Sequence, residues 1–372
     1  MTLTIFRNSH LIASLALSLG ISSTALANDK LPVVASFSIL GDLVSQVGGE
    51  HIDLTTLVKA NGDAHVYSPT PKDALAVKNA QLLVMNGLNF EGWMPRFLES
   101  AHFKGTKIFA SDGIKTITIG DGHANEHHEH EPEGHDHDSK HHEHEPEGHD
   151  HDSEHHEHEQ EGHDHDGEHD EHDEHDEHDQ HDQTGEHDNH GNEHHHDGVD
   201  PHAWNSISNV KIYIQNIEKG LSKADPENSQ DYKNNALAYL RKLDQLEIKL
   251  HAKMDTIPQS QRKVITAHDA FAYFSRDFHV EFIAPQGTST ESEASASDMA
   301  AIIKQIRKDK INAVFMENIA DNRMVEQISR ETEVKIGGKL YTGALSEAQG
   351  PAASYLEMMQ YNVTTIVSAL TH

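Results

Sequence analysis

The sequence predicts an α/β protein of two lobes joined by one long helix. Three observations carry that expectation. Short apolar runs alternate with helical patterns in both halves of the chain, as parallel-sheet units require. One long amphipathic pattern lies between the halves. A segment of extreme composition, residues 121–197, interrupts the first half without resembling either element.

The 372 residues suffice for one large domain or two of ordinary size. The chain opens MTLTIFRNSHLIASLALSLGISSTALA, with one early Arg7, an apolar run over 11–19 and small residues ending Ala25-Leu26-Ala27. That is the pattern of a secretory signal cleaved near Ala27, and its apolar run is too short to span a bilayer. There is no cysteine. A disulfide and a lipid anchor at the cleavage point are therefore not expected, and export to a periplasm is. Thiolate is also missing as a metal ligand, which leaves imidazole and carboxylate.

After the signal, LPVVASFSIL fits a buried strand followed by a helix to about Val47. HIDLTTLV is a second strand, SPTPKDALAVKNA a proline-containing loop and helix start, QLLVMNG a third strand, WMPRFLESA amphipathic, and KIFAS a further strand. Order resumes at GVDPHAWNS, followed by the helical ISNVKIYIQNIEKGLSKAD. The stretch from Ser229 to Thr256 spaces Leu237, Leu240, Leu243, Leu246 and Leu250 by three or four, predicting a helix of about 25 residues and about 40 Å. KVITAH, EFIAP and NAVFME then give strands, with helices near 297–309 and 322–333. A last helix is expected to start at Gly350-Pro351, proline suiting a first turn. The chain so divides into a signal (1–27), a first part of the N-terminal lobe (28–120), an insertion (121–197), the remainder of that lobe (198–225), a linker helix (226–256) and a C-terminal lobe (257–372).

The formal net charge of −33 is concentrated in the insertion, which holds 31 acidic residues against Lys140 alone. The rest of the chain carries only −3. Such a protein is repelled by nucleic acid and by anionic membrane surfaces. The insertion also holds 26 of the 35 histidines, in a fourteen-residue unit written three times from His127 and then decaying. With almost nothing apolar to bury, it is expected to lack order without metal. Its imidazoles, among them His127, His128, His130, His135, His137, His141, His142, His144, His194, His195 and His196, alternate with carboxylates and suit several weak metal sites.

Nine histidines lie elsewhere. His10 belongs to the signal, and His51, His102, His251, His279 and His372 have unremarkable surroundings. His65 in NGDAHVYSPTP, His202 in VDPHAWNS and His268 in VITAHDAF each sit in or beside a turn, and His268 directly follows a strand, where parallel sheets place ligands. Three neutral imidazoles and a fourth oxygen make a tetrahedral zinc site. Each would need an acceptor for its second N–H, for which neighbouring Asp200 and Asp269 are candidates.

The motifs DAHVYSPTPKD, DPHAW, TAHDAFAYF and LYTGALSEAQGPAASYLEMMQYN together resemble the ZnuA-like zinc-binding receptors of ABC importers, a family of periplasmic metal solute-binding proteins (cluster A-I). The resemblance covers nearly all of the mature chain except the insertion. It implies two α/β lobes joined by a rigid helix, with the metal at the lobe interface: His65 and His202 from the N-terminal lobe and His268 from the C-terminal one. It also implies Zn²⁺ as transported ligand, a monomeric receptor, a membrane permease with its cytoplasmic ATPase as partner, and a periplasmic zinc chaperone as a further one. Relatives selective for manganese tend to carry a carboxylate at the third ligand position, here His268. Where many relatives carry an Asp stands Gly343, and where some zinc receptors carry a carboxylate before the first ligand stands Ala64. His268 and Gly343 both remove hard oxygen donors and favour zinc over manganese, and Gly343 with Ala64 leaves water or a donor from the insertion as the fourth ligand.

A manganese or nickel receptor is the same class with another ion. A secreted zinc hydrolase is a different class and would suit a three-histidine site holding water. No HExxH occurs in the chain, and Glu317, the one acid that could be proposed as a base, is expected in a structural role. A zinc buffer acting through the insertion alone would leave the two-lobed body without a purpose.

Overall fold

The computed structural model describes residues 30–119, 198–291 and 295–371. The signal and the whole histidine-rich insertion, 121–197, lie outside these described residues.

Among the described residues, eight strands form two parallel sheets, covered by nine α-helices. The first contains β1 (Leu31–Phe37), β2 (Ile52–Val58), β3 (Leu82–Met85) and β4 (Thr106–Phe109) in the order β2-β1-β3-β4. The second contains β5 (Lys263–Ile265), β6 (Glu281–Ile283), β7 (Ala313–Glu317) and β8 (Lys335–Leu340) in the order β6-β5-β7-β8. Every pairing is parallel, and the two lobes repeat one strand order.

Both sheets are covered on both faces, so their strands are apolar on both sides. In the first, Val33, Ala35, Phe37, Leu82 and Val84 point into the main core, shared with α1 (Ser38–Gly48) and α4 (Ile207–Ala224). The alternate residues Val34, Leu83 and Met85 meet a second cluster with Val77 of α2 (Pro71–Asn79) and Phe97 of α3 (Met94–Ser100). In the second sheet Val264, Ala313 and Phe315 join the main core. Ile265 and Val314 face α7 (Ala296–Asp309) and α8 (Arg323–Thr332) through Ile302, Ile306, Val325 and Ile328.

Between the sheets in sequence lies α5 (Ser229–Met254), 26 residues and about 39 Å long. It packs on α1 and α4 of the first lobe and on α9 (Tyr355–Thr371) of the second. Its buried face is not quite the expected leucine stripe. Tyr232, Ala236 and Tyr239 lead into Leu243, Leu246, Leu250 and Met254, while Leu237 is 55 % exposed. Two tyrosine rings cover more core than Leu237 could, and the Tyr232 hydroxyl, donating to Asp225 at 2.6 Å, fixes the rotation of the first turns.

Two further elements differ from expectation. The last helix begins at Tyr355 and not at Pro351, because the Ser354 hydroxyl accepts the Glu357 backbone N–H at 3.3 Å and donates to its carboxylate at 3.0 Å. A serine followed three residues later by glutamate starts a helix more firmly than a proline. Strand β8, KIGGKL, lacks a strand composition. Gly337 is needed there: a Cβ would lie 2.7 Å from both Phe315 and Ala369, where the sheet and α9 meet.

The α6 helix (Ala272–Phe278) completes the second lobe. No helix among the described residues is long and apolar enough to cross a membrane.

Candidate metal centre

A parallel sheet leaves a crevice at the carboxyl ends of its strands, where the connections leave in opposite directions. In the second lobe that point lies between β5 and β7. His268 follows β5 and Glu317 ends β7, so strand adjacency alone brings together two residues 49 positions apart. Glu317 Oε1 accepts the backbone N–H of Ala267 at 2.7 Å and of His268 at 2.9 Å. Its Oε2 lies 2.6 Å from His268 Nδ1. Both side chains are fully buried.

The other two histidines share a local device, an aspartate two positions earlier. Asp200 Oδ1 accepts the His202 backbone N–H at 2.9 Å and meets Nδ1 of the same ring at 2.8 Å. That turns Nε2 of the buried His202 toward the site as a lone-pair donor. Trp204, buried edge-on against His202, donates its indole N–H to Thr342 of the second lobe at 2.7 Å. Asp63 Oδ1 accepts the His65 N–H at 2.9 Å, closing the turn between β2 and α2. Downstream, Thr70 and Asp73 cap α2 reciprocally, with Pro71 in its first turn. His65 retains partial exposure, the most open of the three.

One ring nitrogen from each of His65, His202 and His268 lies within 4.8 Å of the others. The Nε2 atoms of His65 and His202 are 3.2 Å apart. Two imidazoles on one tetrahedral zinc at 2.0–2.1 Å would place their nitrogens about 3.3 Å apart. The geometry therefore suits a shared divalent cation. Burial first, and then the neighbouring His202 and His268, push the His65 pKa down to about 2, so this ring is neutral and its lone pair is available. His268 behaves oppositely. Burial would lower its pKa, but the Glu317 carboxylate outweighs that and raises it. Glu317 is correspondingly held below its usual range, the His268 charge overcoming the upward push of burial.

Of the two acids expected to support the rings, Asp200 meets His202 directly. The carboxylate against His268 Nδ1 is Glu317, while neighbouring Asp269 acts on that ring as a nearby charge and gives its backbone N–H to Gly287. Glu317 gives no support to hydrolase chemistry, since both its oxygens are engaged away from solvent. The histidines from His127 to His196 lie outside the described residues. The chain leading to them does not: Ile119 N–H donates to Gly198, and Asp200 N–H to Ile117 at 2.9 Å. The stem of the insertion thus closes two residues before His202.

Two parallel-sheet lobes braced by a long helix, with three imidazoles converging between them, define a metal-binding receptor. The family model for zinc-uptake complex component A, periplasmic (ZnuA), matches residues 33–369, and the chain belongs to that family. Similar proteins include the metal ABC transporter substrate-binding lipoprotein ScbA of Streptococcus cristatus, 27% identical over 356 residues that cover 94% of this chain and 92% of ScbA. The iron-binding protein YfeA of Yersinia pestis is 26% identical over 368 residues, covering 97% and 95%. Among solved structures, the Mn-bound S38A mutant of a periplasmic metal binding protein from candidatus Liberibacter asiaticus superposes with a TM-score of 0.67 at 27% identity, covering 92% of this chain and 100% of that one. The protein is thus a receptor of a metal ABC importer, working with a membrane permease and its ATPase, and not an enzyme.

Proposed function

We propose that the protein is a periplasmic receptor selective for Zn²⁺, bound by His65, His202 and His268 and handed to the importer permease. The observation that carries this reading is the donor set. Three imidazole nitrogens converge, and two of the acids beside them, Asp200 and Glu317, meet ring Nδ1 atoms, while Asp63 is bonded to the His65 backbone and to Thr290. Manganese and magnesium prefer oxygen donors, whereas imidazole suits zinc. At Gly343, where many relatives carry an Asp, this chain offers no side-chain oxygen, and the space a Cβ would take is approached by the Ile319 side chain. The fourth ligand is then water or a donor from the insertion. Relatives named for manganese and iron make the choice of ion the point to test.

The insertion, residues 121–197, acts in this reading as an auxiliary collector. Its histidines hold zinc weakly, and tethering raises the zinc concentration near the tight site. The signal-like residues 1–27 support export, and a periplasmic zinc chaperone is a further partner.

Competition settles the ion. The full chain equilibrated with Zn²⁺ and a large excess of Mn²⁺ should retain zinc at one tight site. Displacement of zinc by manganese near equimolar concentration would overturn the selectivity.

A further inference from the structure

The three histidines are held with unequal firmness. His202 and His268 are locked to one another by buried bonds across the lobes. Asn205 donates to Ala270 O at 2.8 Å, the Tyr273 hydroxyl to Asp200 O at 2.9 Å, and the Tyr355 hydroxyl to Trp204 O at 2.9 Å. None of these reaches the His65 loop.

That loop meets the second lobe through the exposed Asn61 and the half-buried Asp63. Asn61, in a left-handed conformation, donates its backbone N–H to Leu345 O at 2.9 Å. Asp63 accepts the Thr290 hydroxyl on Oδ2 at 2.6 Å. The second contact spans the site. Residues 286–290 run beside the His268 loop, through a parallel bridge of His268 with Gln286 and a bond from Asp269 N–H to Gly287 O at 3.1 Å. One oxygen of Asp63 holds the His65 backbone, and the other holds Thr290. A single carboxylate therefore joins the ligand loop of one lobe to that of the other.

We propose that Thr290 is a positioning residue which, through Asp63, keeps His65 on the bound metal and sets the rate of metal release. The rigid His202–His268 pair retains the ion while His65 departs, and opening this charge-assisted bond removes the tie between the two ligand loops, with Asn61 still bonded to Leu345 O and Ala64 O to the Trp93 indole N–H. The inference rests on the three-histidine assignment.

The test uses the full chain loaded with one equivalent of Zn²⁺ and mixed with excess fluorescent chelator in a stopped-flow instrument. Thr290→Val should speed the slow release phase about tenfold, the factor expected for one lost charge-assisted hydrogen bond. Thr290→Ser, which keeps the hydroxyl, should restore the original rate, and the metal-free melting temperatures of both should match the parent. An unchanged rate in Thr290→Val, or equal acceleration in both variants, overturns the clasp. His65→Ala separates the two levels. If it leaves the slow phase unchanged, the ligand assignment fails. If it accelerates release and Thr290→Val does not, only the clasp fails.

Discussion

Nε2 of His65 and Nε2 of His202 face each other at 3.2 Å across 137 residues of sequence. Burial, and then the neighbouring His202 and His268 rings, keep His65 neutral, so its lone pair is open to a cation. A cation is the partner that satisfies all three. Replacing any one of them with alanine should therefore weaken zinc binding by more than about 100-fold, exceeding the loss from a supporting residue. Competition against a chelator of known affinity measures it.

Asp200 orients His202 from two positions away. Asp200→Ala should reduce zinc affinity by about 10–100-fold while all three imidazoles remain. A change below about twofold in the same competition assay would mean that the ring needs no acceptor.

Protons compete at His268 first. Its pKa is raised by Glu317 against the effect of burial, whereas that of His65 is pushed down to about 2. Zinc must displace the His268 proton, so affinity should fall as pH drops through the elevated His268 value, with no contribution from His65. Calorimetry in buffers of different ionisation enthalpy counts the released protons. Glu317→Gln removes the carboxylate that raises His268 and should move the midpoint to lower pH.

His65, whose pKa is shifted in the opposite sense to that of His268, should make the metal-free protein less stable in acid. Unfolded His65 takes up a proton near its ordinary value of about 6.5, but in the fold it stays neutral to about 2. The unfolded state thus binds more protons in that window, and stability falls as pH drops below about 6.5. His65→Phe should flatten this part of the melting-temperature profile.

Much of this was legible in the sequence. The D-x-H pairs at Asp63 and Asp200 and the strand-end His268 were visible as motifs, because each depends on local turns. Glu317 as the partner of His268 was not, since only the adjacency of β5 and β7 brings it there. Strand β8 was hidden by Gly337 and Gly338, whose composition is imposed by the close approach of α9. Gly337→Ala should cost about 1–3 kcal/mol in denaturant unfolding through the clash with Phe315 and Ala369. The start of α9 could have been read from Ser354 and Glu357, whose spacing is a capping pattern.

The most direct test of the central account is a calorimetric zinc titration of two altered chains. Removing residues 121–197, whose stem already closes at Ile119 and Gly198, should abolish the weak sites and leave a single tight one. Replacing His65, His202 and His268 together, with the insertion intact, should abolish the tight site and leave the weak ones. Loss of tight binding on deletion, or its survival in the triple variant, would contradict the assignment of zinc to these three histidines.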